Sequence, residues 1–265
     1  MGFRRFYYPG LVPDTPSGPD KPVKPDPHDS SLWDRSITLD AEQTHHARRV
    51  LRLRVGDRIG VFDGRGAVGE GQISHLPQRG GAGAVVRLLD VSHVAPPRPC
   101  IELATALPKG PRSADLVAGL SQAGADRLIP LRCERAAVDP NSVKPKRLER
   151  AAVEAAKQCG RAHLLGIEAP AGLAELVNRP HDLRLFALAA PQVPIELAPL
   201  IAQAQRVLIL VGPEGGWTDE EQSHASEAGC RPWHFGPHVM RIETACTAAC
   251  AIVRYASQAS WPTAD

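Results

Sequence analysis

One stretch of sequence decides the fold: Arg206-Val-Leu-Ile-Leu-Val-Gly-Pro-Glu-Gly-Gly-Trp-Thr-Asp-Glu-Glu221. Its apolar run, Val207–Val211, predicts a buried strand, and the glycines of the loop 212–216 let the backbone approach a ligand closely. Thr218 and Glu221 have the spacing of a capping box, which predicts that a helix begins there. Strand, glycine loop and helix in this order favour an α/β domain, in which ligands bind at the carboxyl ends of parallel strands. The loop 212–216 is therefore a candidate ligand site.

The charges that follow this loop indicate which kind of ligand it suits. The loop has neither the G-x-G-x-x-G pattern nor the Lys-Ser/Thr of a phosphate-binding loop. Asp219, Glu220 and Glu221 fill the first predicted helical turn, where they neutralise the helix dipole and repel phosphate. S-adenosylmethionine fits better, because it carries a positive sulfonium and no phosphate. For this loop taken alone, a purely structural turn is the alternative.

A second loop follows within the segment 235–250. Gly236-Pro237 predicts a tight turn, and Arg241 and Glu243 stand just ahead of a helix predicted over 245–255. A charged pair at such a junction often serves only as a cap. Two such loops in one domain, each after an apolar run, nevertheless favour a binding site over two unrelated turns.

The rest of the second half alternates strands with helices. Apolar runs predict strands at 101–107, 128–131 and 183–189, and helical spacing predicts helices at 113–123 and 146–159. This alternation is typical of an α/β domain with a largely parallel sheet. We assign this domain to residues 96–265.

The first part of the chain has a different pattern. Short apolar runs between 37 and 94, separated by Gly and Asp, predict a small β-barrel or sandwich. Residues 12–31 are rich in Pro, Asp and Ser and carry few apolar side chains, which predicts a flexible insert. Pro96-Pro97-Arg98-Pro99 reads as a linker. The first domain is therefore predicted at 1–95.

Composition narrows the class of protein. Of the 265 residues, 43% are hydrophobic and 23% are charged, which is an ordinary globular balance. Since no run approaches the roughly 20 apolar residues of a membrane span and no secretory signal begins the chain, we expect a soluble cytoplasmic protein. The six cysteines form no C-x-x-C, and Cys246 and Cys250 have the spacing of a helix packing face. We expect no metal and no disulfide.

Five motifs carry a resemblance to a known family. They are Val211–Gly216, Gly236–Arg241 with Glu243–Ala245, Glu154–Arg161, Arg5–Tyr7 and His46–Gly64. In these motifs the chain resembles the RsmE family, 16S ribosomal RNA (uracil-N3)-methyltransferases of the SPOUT superfamily. The resemblance covers nearly the whole chain except the insert at 12–31, and the combined C-terminal motifs are highly specific.

The resemblance implies more than the spacing of residues can show. It implies a trefoil-knotted α/β methyltransferase domain that binds S-adenosylmethionine in a bent form. It also implies a preceding PUA-like β-barrel that assists RNA binding, and a homodimer with each active site near the subunit interface. The implied substrate is 16S ribosomal RNA or the small ribosomal subunit, and the implied product is N3-methyluridine.

Site residues follow from this resemblance and from the chemistry of uridine. Neutral uridine is a poor nucleophile at N3, so we expect Arg241 to stabilise the developing uracil anion. Glu243 is either the proton acceptor or a partner that orients Arg241 by a salt bridge. Glu214 is expected to support the loop or contact the substrate. The cofactor is expected to contact Leu188, Ala189, Val211, Gly212, Gly216, Phe235, Gly236, Val239 and Met240.

RNA contacts are expected from local basic patches, because the net charge is only +2. Arg48, Arg49, Arg52 and Arg54 lie in one such run, and in a PUA-like domain they suit phosphate contacts. A solvated helix face is the alternative. Arg161 belongs to a second basic stripe, and His238 is expected to donate to RNA when protonated.

The sequence departs from the family at two places. The usual lysine and glutamate are missing from 120–126, and His238 stands where relatives tend to have arginine. Both changes remove charge from the expected RNA side. The alternatives are a methyltransferase acting on another RNA position and a non-catalytic RNA-binding assembly factor. A nucleotide-binding protein fits poorly, because the first turn at 219–221 is acidic.

Overall fold

The computed structural model describes residues 4–11, 36–78, 83–189 and 195–257. The chain forms two compact units. The first, which we call the β unit, comprises Met1–Pro96 and Ala156–His163; the second, the α/β unit, comprises Pro97–Ala155 and Leu164–Asp265. The segment 156–163 thus packs with the first unit, although it follows the start of the second in sequence. The predicted insert at 12–31 lies outside the described residues.

The β unit is built on a five-stranded sheet of order β1-β3-β4-β5-β2. β1 runs parallel to β3, and the other pairs are antiparallel. Gly64 and Gly66 have positive φ values of 77° and 111° in the turn between β3 and β4, a backbone conformation that favours glycine. The strands are β1 Arg5–Tyr7, β2 Ser36–Thr38, β3 Arg58–Phe62, β4 Ala67–His75 and β5 Val85–His93.

A short helix and the contacts of one arginine complete the β unit. Helix α1 (Ala41–His45) begins at Asp40, whose side chain accepts from the Gln43 N–H at 2.7 Å, and it continues into a π-helical turn over His46–Val50. Arg5 donates to the carbonyl of Arg161 at 3.1 Å and lies over the Phe62 ring at 4.5 Å. This cation therefore holds the segment 156–163 against the sheet.

The α/β unit contains the parallel sheet that the alternating pattern predicts. Its strand order is β12-β10-β11-β6-β7-β8, with β9 also pairing with β7, and every pair is parallel. The central strands β6 and β11 are buried on both faces, and most of their side chains are apolar. The strands are β6 Cys100–Thr105, β7 Arg127–Arg132, β8 Gly166–Ile167, β9 Ala171–Gly172, β10 Leu183–Ala187, β11 Arg206–Val211 and β12 Arg231–Trp233.

Helices cover both faces of this sheet. One face, with Leu103 and Ile209, forms a core with buried residues of α2 and α7, and the other, with Leu208 and Leu210, packs with α4 and α6. The helices are α2 Arg112–Ala123, α3 Pro145–Cys159, α4 Leu173–Val177, α5 Leu197–Ala202, α6 Asp219–Glu227 and α7 Ile242–Ala256, with a 3₁₀ turn over Pro140–Ser142. None of the described helices is long and apolar enough to cross a bilayer.

Two cysteines of α7 pack in the core of the α/β unit. Cys246 and Cys250 are fully buried on one face of α7, and the Cys250 thiol donates to the carbonyl of Ala123 at 3.4 Å. Burial raises the pKa of Cys246 to about 12, so this thiol stays protonated. All six cysteines are free thiols, and the described residues contain no cluster of three His, Cys, Asp or Glu side chains suited to a metal.

A buried carboxylate lies at the amino ends of the strands, in a charged cluster whose arginines are partly exposed. Glu102 of β6 is 1% exposed and accepts hydrogen bonds from Arg206 at 2.7 Å and from His181 at 2.9 Å. Arg127 completes the cluster at 3.9 Å from the same carboxylate. Burial raises the pKa of Glu102, but the bonds from His181 and Arg206 outweigh it and lower that pKa to about 2. The carboxylate is therefore ionised at neutral pH.

Candidate active site

Three chain segments meet at the carboxyl edge of the parallel sheet. β10 ends at Ala187, β11 at Val211 and β12 at Trp233, and each is followed by a loop. Because the three strands are parallel neighbours, their loops emerge at the same edge. Together they line a cleft that is partly open to solvent and has a cavity volume of about 160 Å³.

The cleft brings together all nine residues predicted to contact the cofactor. The described residues that line it include the carboxylate of Glu214 but no lysine or arginine. The cleft therefore disfavours phosphate and tolerates a cation. The nine are Leu188, Ala189, Val211, Gly212, Gly216, Phe235, Gly236, Val239 and Met240.

The cleft also contains residues that the sequence did not single out for the cofactor. They flank the predicted ones in sequence, and this proximity was the signal that could have found them. They are Ala187, Pro213, Glu214, Trp217, His234, His238, Ile242 and Ala245. His238, which we predicted to contact RNA, is exposed at this position.

The loop 212–216 is fixed by a turn and a helix cap. Gly216 has a φ of +71°, and its N–H donates to the carbonyl of Pro213 at 2.9 Å. The capping box predicted at the start of α6 is present. The Glu221 N–H donates to the Thr218 hydroxyl at 3.1 Å, and the Thr218 N–H donates to the Glu221 carboxylate at 2.9 Å. Local sequence therefore sets the shape of this loop.

Trp217 anchors the loop against the sheet. Its indole stacks on Phe186 with ring centroids 4.5 Å apart, and its N–H donates to the carbonyl of Ala187 at 3.0 Å. A Cβ at Gly212 would lie 2.9 Å from the indole, which is too close for ordinary contact. Arg135 supports the loop by donating to the carbonyls of Gly215 at 3.3 Å and Trp217 at 3.2 Å. Gly212 is thus required for the indole to pack at this depth.

The second loop, 234–241, closes the other side of the cleft. Phe235 packs on Trp233 with ring centroids 4.5 Å apart. Met240 reaches back over Gly236, where an added Cβ would lie 2.5 Å from the Met240 methyl group. Val239 is 86% exposed at the rim, although it is a large apolar residue. The loop thus presents backbone and apolar side chains to the cleft.

Arg241 and Glu243 occupy the start of α7, and the predicted start of that helix was wrong. α7 begins at Ile242 rather than at Ala245, because Ile242 is buried and the Arg241 carbonyl already accepts from the Ala245 N–H at 2.8 Å. Arg241 is therefore the N-cap, with extended backbone and an exposed side chain, and Glu243 lies in the first turn. The ion pair of Glu243 in the described structure is with Arg112, at 3.9 Å, rather than with Arg241.

The predicted RNA-binding arginines lie in the β unit. Arg49, Arg52 and Arg54 are exposed, and Arg52 has a φ of +53°. Arg48 is half-buried and donates to the carbonyl of Pro77 at 3.1 Å, so part of its role is structural. Arg161 is half-buried in the segment 156–163 of the same unit.

Comparisons with known proteins agree with this architecture. The RNA methyltransferase domain family matches residues 96–254, and the RNA methyltransferase PUA domain family matches residues 39–86. A Synechocystis protein named ribosomal RNA small subunit methyltransferase E is 33% identical over 83% of this chain and 73% of its own length. A Mycobacterium bovis protein of the same name is 31% identical over 81% of this chain and 84% of its own.

Solved structures show the same fold. A methyltransferase from Legionella pneumophila, determined with S-adenosylmethionine, is 25% identical, covers 97% of this chain and 98% of its own, and superposes with a TM-score of 0.76. The ribosomal RNA small subunit methyltransferase E of Neisseria gonorrhoeae, also bound to S-adenosylmethionine, is 23% identical over 96% and 97% of the two chains, with a TM-score of 0.76.

The fold and the matched families define the class as RNA methyltransferases that carry an N-terminal PUA domain. Within that class, this chain belongs to the ribosomal RNA small subunit methyltransferase E family. The predicted family, the PUA-like domain and the parallel-sheet methyltransferase domain are therefore confirmed. The trefoil knot and the closure of the β unit into a barrel stay predictions.

Proposed function

We propose that this protein transfers the methyl group of S-adenosylmethionine to N3 of a uridine in 16S ribosomal RNA of the small subunit. The observation that carries the proposal is the cleft of loops 212–216 and 234–241, in a chain whose relatives are named for this class of reaction. We further propose that it acts in the cytoplasm, where the small subunit is assembled, and as a homodimer.

The cleft fits S-adenosylmethionine in shape and charge. When bound, this group supplies an electrophilic methyl on a positively charged sulfonium. Gly212 and Gly216 offer backbone without side chains, and Phe235 and Met240 offer apolar surface to the adenosyl moiety. The Glu214 carboxylate and the absence of lysine and arginine from the described lining suit a cation better than a phosphate.

Two residues of the α7 start are proposed to act on the uridine. The proton on N3 must leave as the N3 lone pair attacks the methyl group. Arg241, exposed at the N-cap, would donate to a uracil carbonyl oxygen and stabilise the negative charge that develops. Glu243 is the candidate acceptor for the N3 proton. The alternative is that Glu243 orients Arg241 by a salt bridge. It is less favoured, because the ion pair of Glu243 is with Arg112.

The function can be tested directly on ribosomal RNA. We expect small-subunit RNA from cells lacking this gene to lose one N3-methyluridine, and the purified protein to restore it with S-adenosylmethionine. Mapping by primer extension and nucleoside mass spectrometry identifies the nucleotide. Methylation of a different base, or none, would contradict the proposal.

Light scattering of the purified protein tests the proposed homodimer. We expect it to give twice the mass of one chain.

We predict that G212A weakens S-adenosylmethionine binding by roughly 10-fold or more, since ligand sites tolerate little displacement of their walls. The added Cβ would lie 2.9 Å from the Trp217 indole, which is held by Phe186 and the Ala187 carbonyl, so the wall of the cleft must shift. Titration calorimetry gives the affinity. G166A is the matched control, because its Cβ meets neighbours only at 3.5 Å and beyond. Equal affinities for the two variants would contradict the prediction.

We predict that the triple variant R49Q/R52Q/R54Q weakens RNA binding and flattens its salt dependence. The expected change in log–log slope is about 0.7–0.9 for each phosphate that is no longer neutralised. These three arginines are exposed, whereas Arg48 is engaged with Pro77. Filter binding between 50 and 200 mM salt measures the slope. R58Q is the control, because Arg58 is paired with Glu70 at 2.8 Å. A slope like that of the wild type would show that these three arginines do not neutralise RNA phosphates.

A further inference from the structure

Arg112 lies between two carboxylates at the edge of the candidate active site. It is the first residue of α2, which follows the loop after β6. Its Nη1 is 3.7 Å from Oε1 of Glu214 and 3.9 Å from Oε2 of Glu243. Both distances exceed a hydrogen bond, so the attraction is one of charge. One cation is therefore shared between the cofactor loop 212–216 and the first turn of α7.

The positive charge of Arg112 stabilises the carboxylate of Glu243. Its side chain is 17% exposed, and its Oε2 is buried without a hydrogen-bond partner in the described part of the chain. A buried carboxylate oxygen without a donor is unfavourable unless a positive charge lies near it. The Arg112 guanidinium, 3.9 Å away, supplies that charge.

Glu214 connects the same cation to the cleft. Its carboxylate belongs to the residues that line the cleft, and its side chain is 41% exposed. Ile242 and Ala245, on either side of Glu243, line the cleft as well. The two carboxylates that Arg112 faces therefore belong to the wall of the cleft and to the helix start that carries Arg241.

We propose that Arg112 is a positioning residue for methyl transfer, which holds Glu214 and Glu243 together and so couples the cofactor loop to the reactive end of α7. This inference deepens the proposed function and rests on it. Without the cation, the two carboxylates lose their shared partner and Glu243 is free to turn away from the uridine. Lysine can replace the charge, but it places that charge on a flexible side chain instead of a planar guanidinium.

The test compares R112M, which keeps an unbranched side chain but removes the charge, with R112K. We expect R112M to lower kcat roughly 10- to 100-fold, since small misplacements near reacting groups have effects of this size. We expect KM for RNA to stay within about 3-fold, and R112K to recover part of kcat. R147M is the matched control, because Arg147 donates to the Gly110 carbonyl of the same loop at 3.2 Å rather than to a carboxylate. Urea unfolding checks that each variant is folded.

A double-mutant cycle separates positioning from a general structural role. If Arg112 acts through Glu243, R112M has a smaller effect on kcat in an E243Q background than in the wild type. A second double-mutant cycle combines R112M with E214Q and measures the affinity for S-adenosylmethionine. Additive effects in both cycles, or a wild-type kcat for R112M, would overturn the inference. If the wild type methylated no small-subunit RNA, the proposed function would be wrong. The cycle with E214Q would still test whether Arg112 acts through Glu214, because it measures cofactor affinity and not methylation.

Discussion

Replacing Arg241 with alanine is expected to lower kcat for uridine methylation by roughly 100- to 1,000-fold, the effect of losing one donor to a developing oxyanion. The guanidinium stands at the N-cap of α7, exposed beside the cleft, so it can reach a base placed against the methyl group. Its donors are needed most when N3 loses its proton and negative charge spreads to the uracil oxygens. Single-turnover assays on small-subunit RNA measure this step.

The matched control for Arg241 is R231A, an exposed arginine at the start of β12 in the same unit. We expect R231A to keep kcat and R241A to keep its affinity for S-adenosylmethionine within a few fold, since the cofactor cleft contains no arginine among its described lining residues. Near-normal kcat for R241A would show that another group stabilises the anion. Loss of cofactor affinity in R241A would place this side chain in the cofactor site instead.

Replacing Glu102 with alanine is expected to destabilise the α/β unit by about 1–3 kcal/mol, the usual effect of leaving a buried donor, here His181, without its hydrogen-bond acceptor. The change leaves Arg206 and His181 without the carboxylate that accepts their hydrogen bonds at 2.7 and 2.9 Å. Urea unfolding followed by tryptophan fluorescence reports this unit, because Trp217 and Trp233 lie within it. A midpoint close to that of the wild type would contradict the prediction.

The effect of E102A should depend on pH. The folded pKa of Glu102 is about 2, below its ordinary value, because the bonds from His181 and Arg206 outweigh burial. A depressed pKa stabilises the fold above the unfolded pKa, near 4.5, and this contribution is lost as the pH falls through 2. The difference between wild type and E102A should therefore narrow from pH 4.5 downward. E175A is the control, because its pairs with Arg179 and Arg132 are exposed and contribute little.

Much of the α/β unit could be predicted because its signals are local. The run Val207–Val211 is buried on both faces and became the interior strand β11, and the capping box at Thr218 formed as its spacing predicted. The helix predicted at 146–159 begins one residue earlier, at Pro145, and ends at Cys159 as predicted. The start of α7 was missed by three residues, because the burial of Ile242 depends on its packing in the core and not on its neighbours in sequence.

Residues far apart in sequence explain what was missed. Glu102, Arg127 and Arg206 look like scattered charges, and only the strand order β11-β6-β7 brings them together at the amino ends of the sheet. Arg112 follows Lys109-Gly110-Pro111, which reads as an ordinary helix start. Its two carboxylate partners lie more than 100 residues away, so no local pattern indicates them.

The sequence by itself determined the α/β class, the glycine loops and the family. Apolar runs, capping residues and motifs are local signals, because each is formed by residues close together in the chain. The sequence also selected nine of the residues that line one cleft. Only the tertiary structure decided that Trp217 closes against Gly212, that the segment 156–163 packs with the β unit and that Glu243 pairs with Arg112. These features depend on which strands become neighbours, and strand order is a property of the whole packed chain rather than of any one segment.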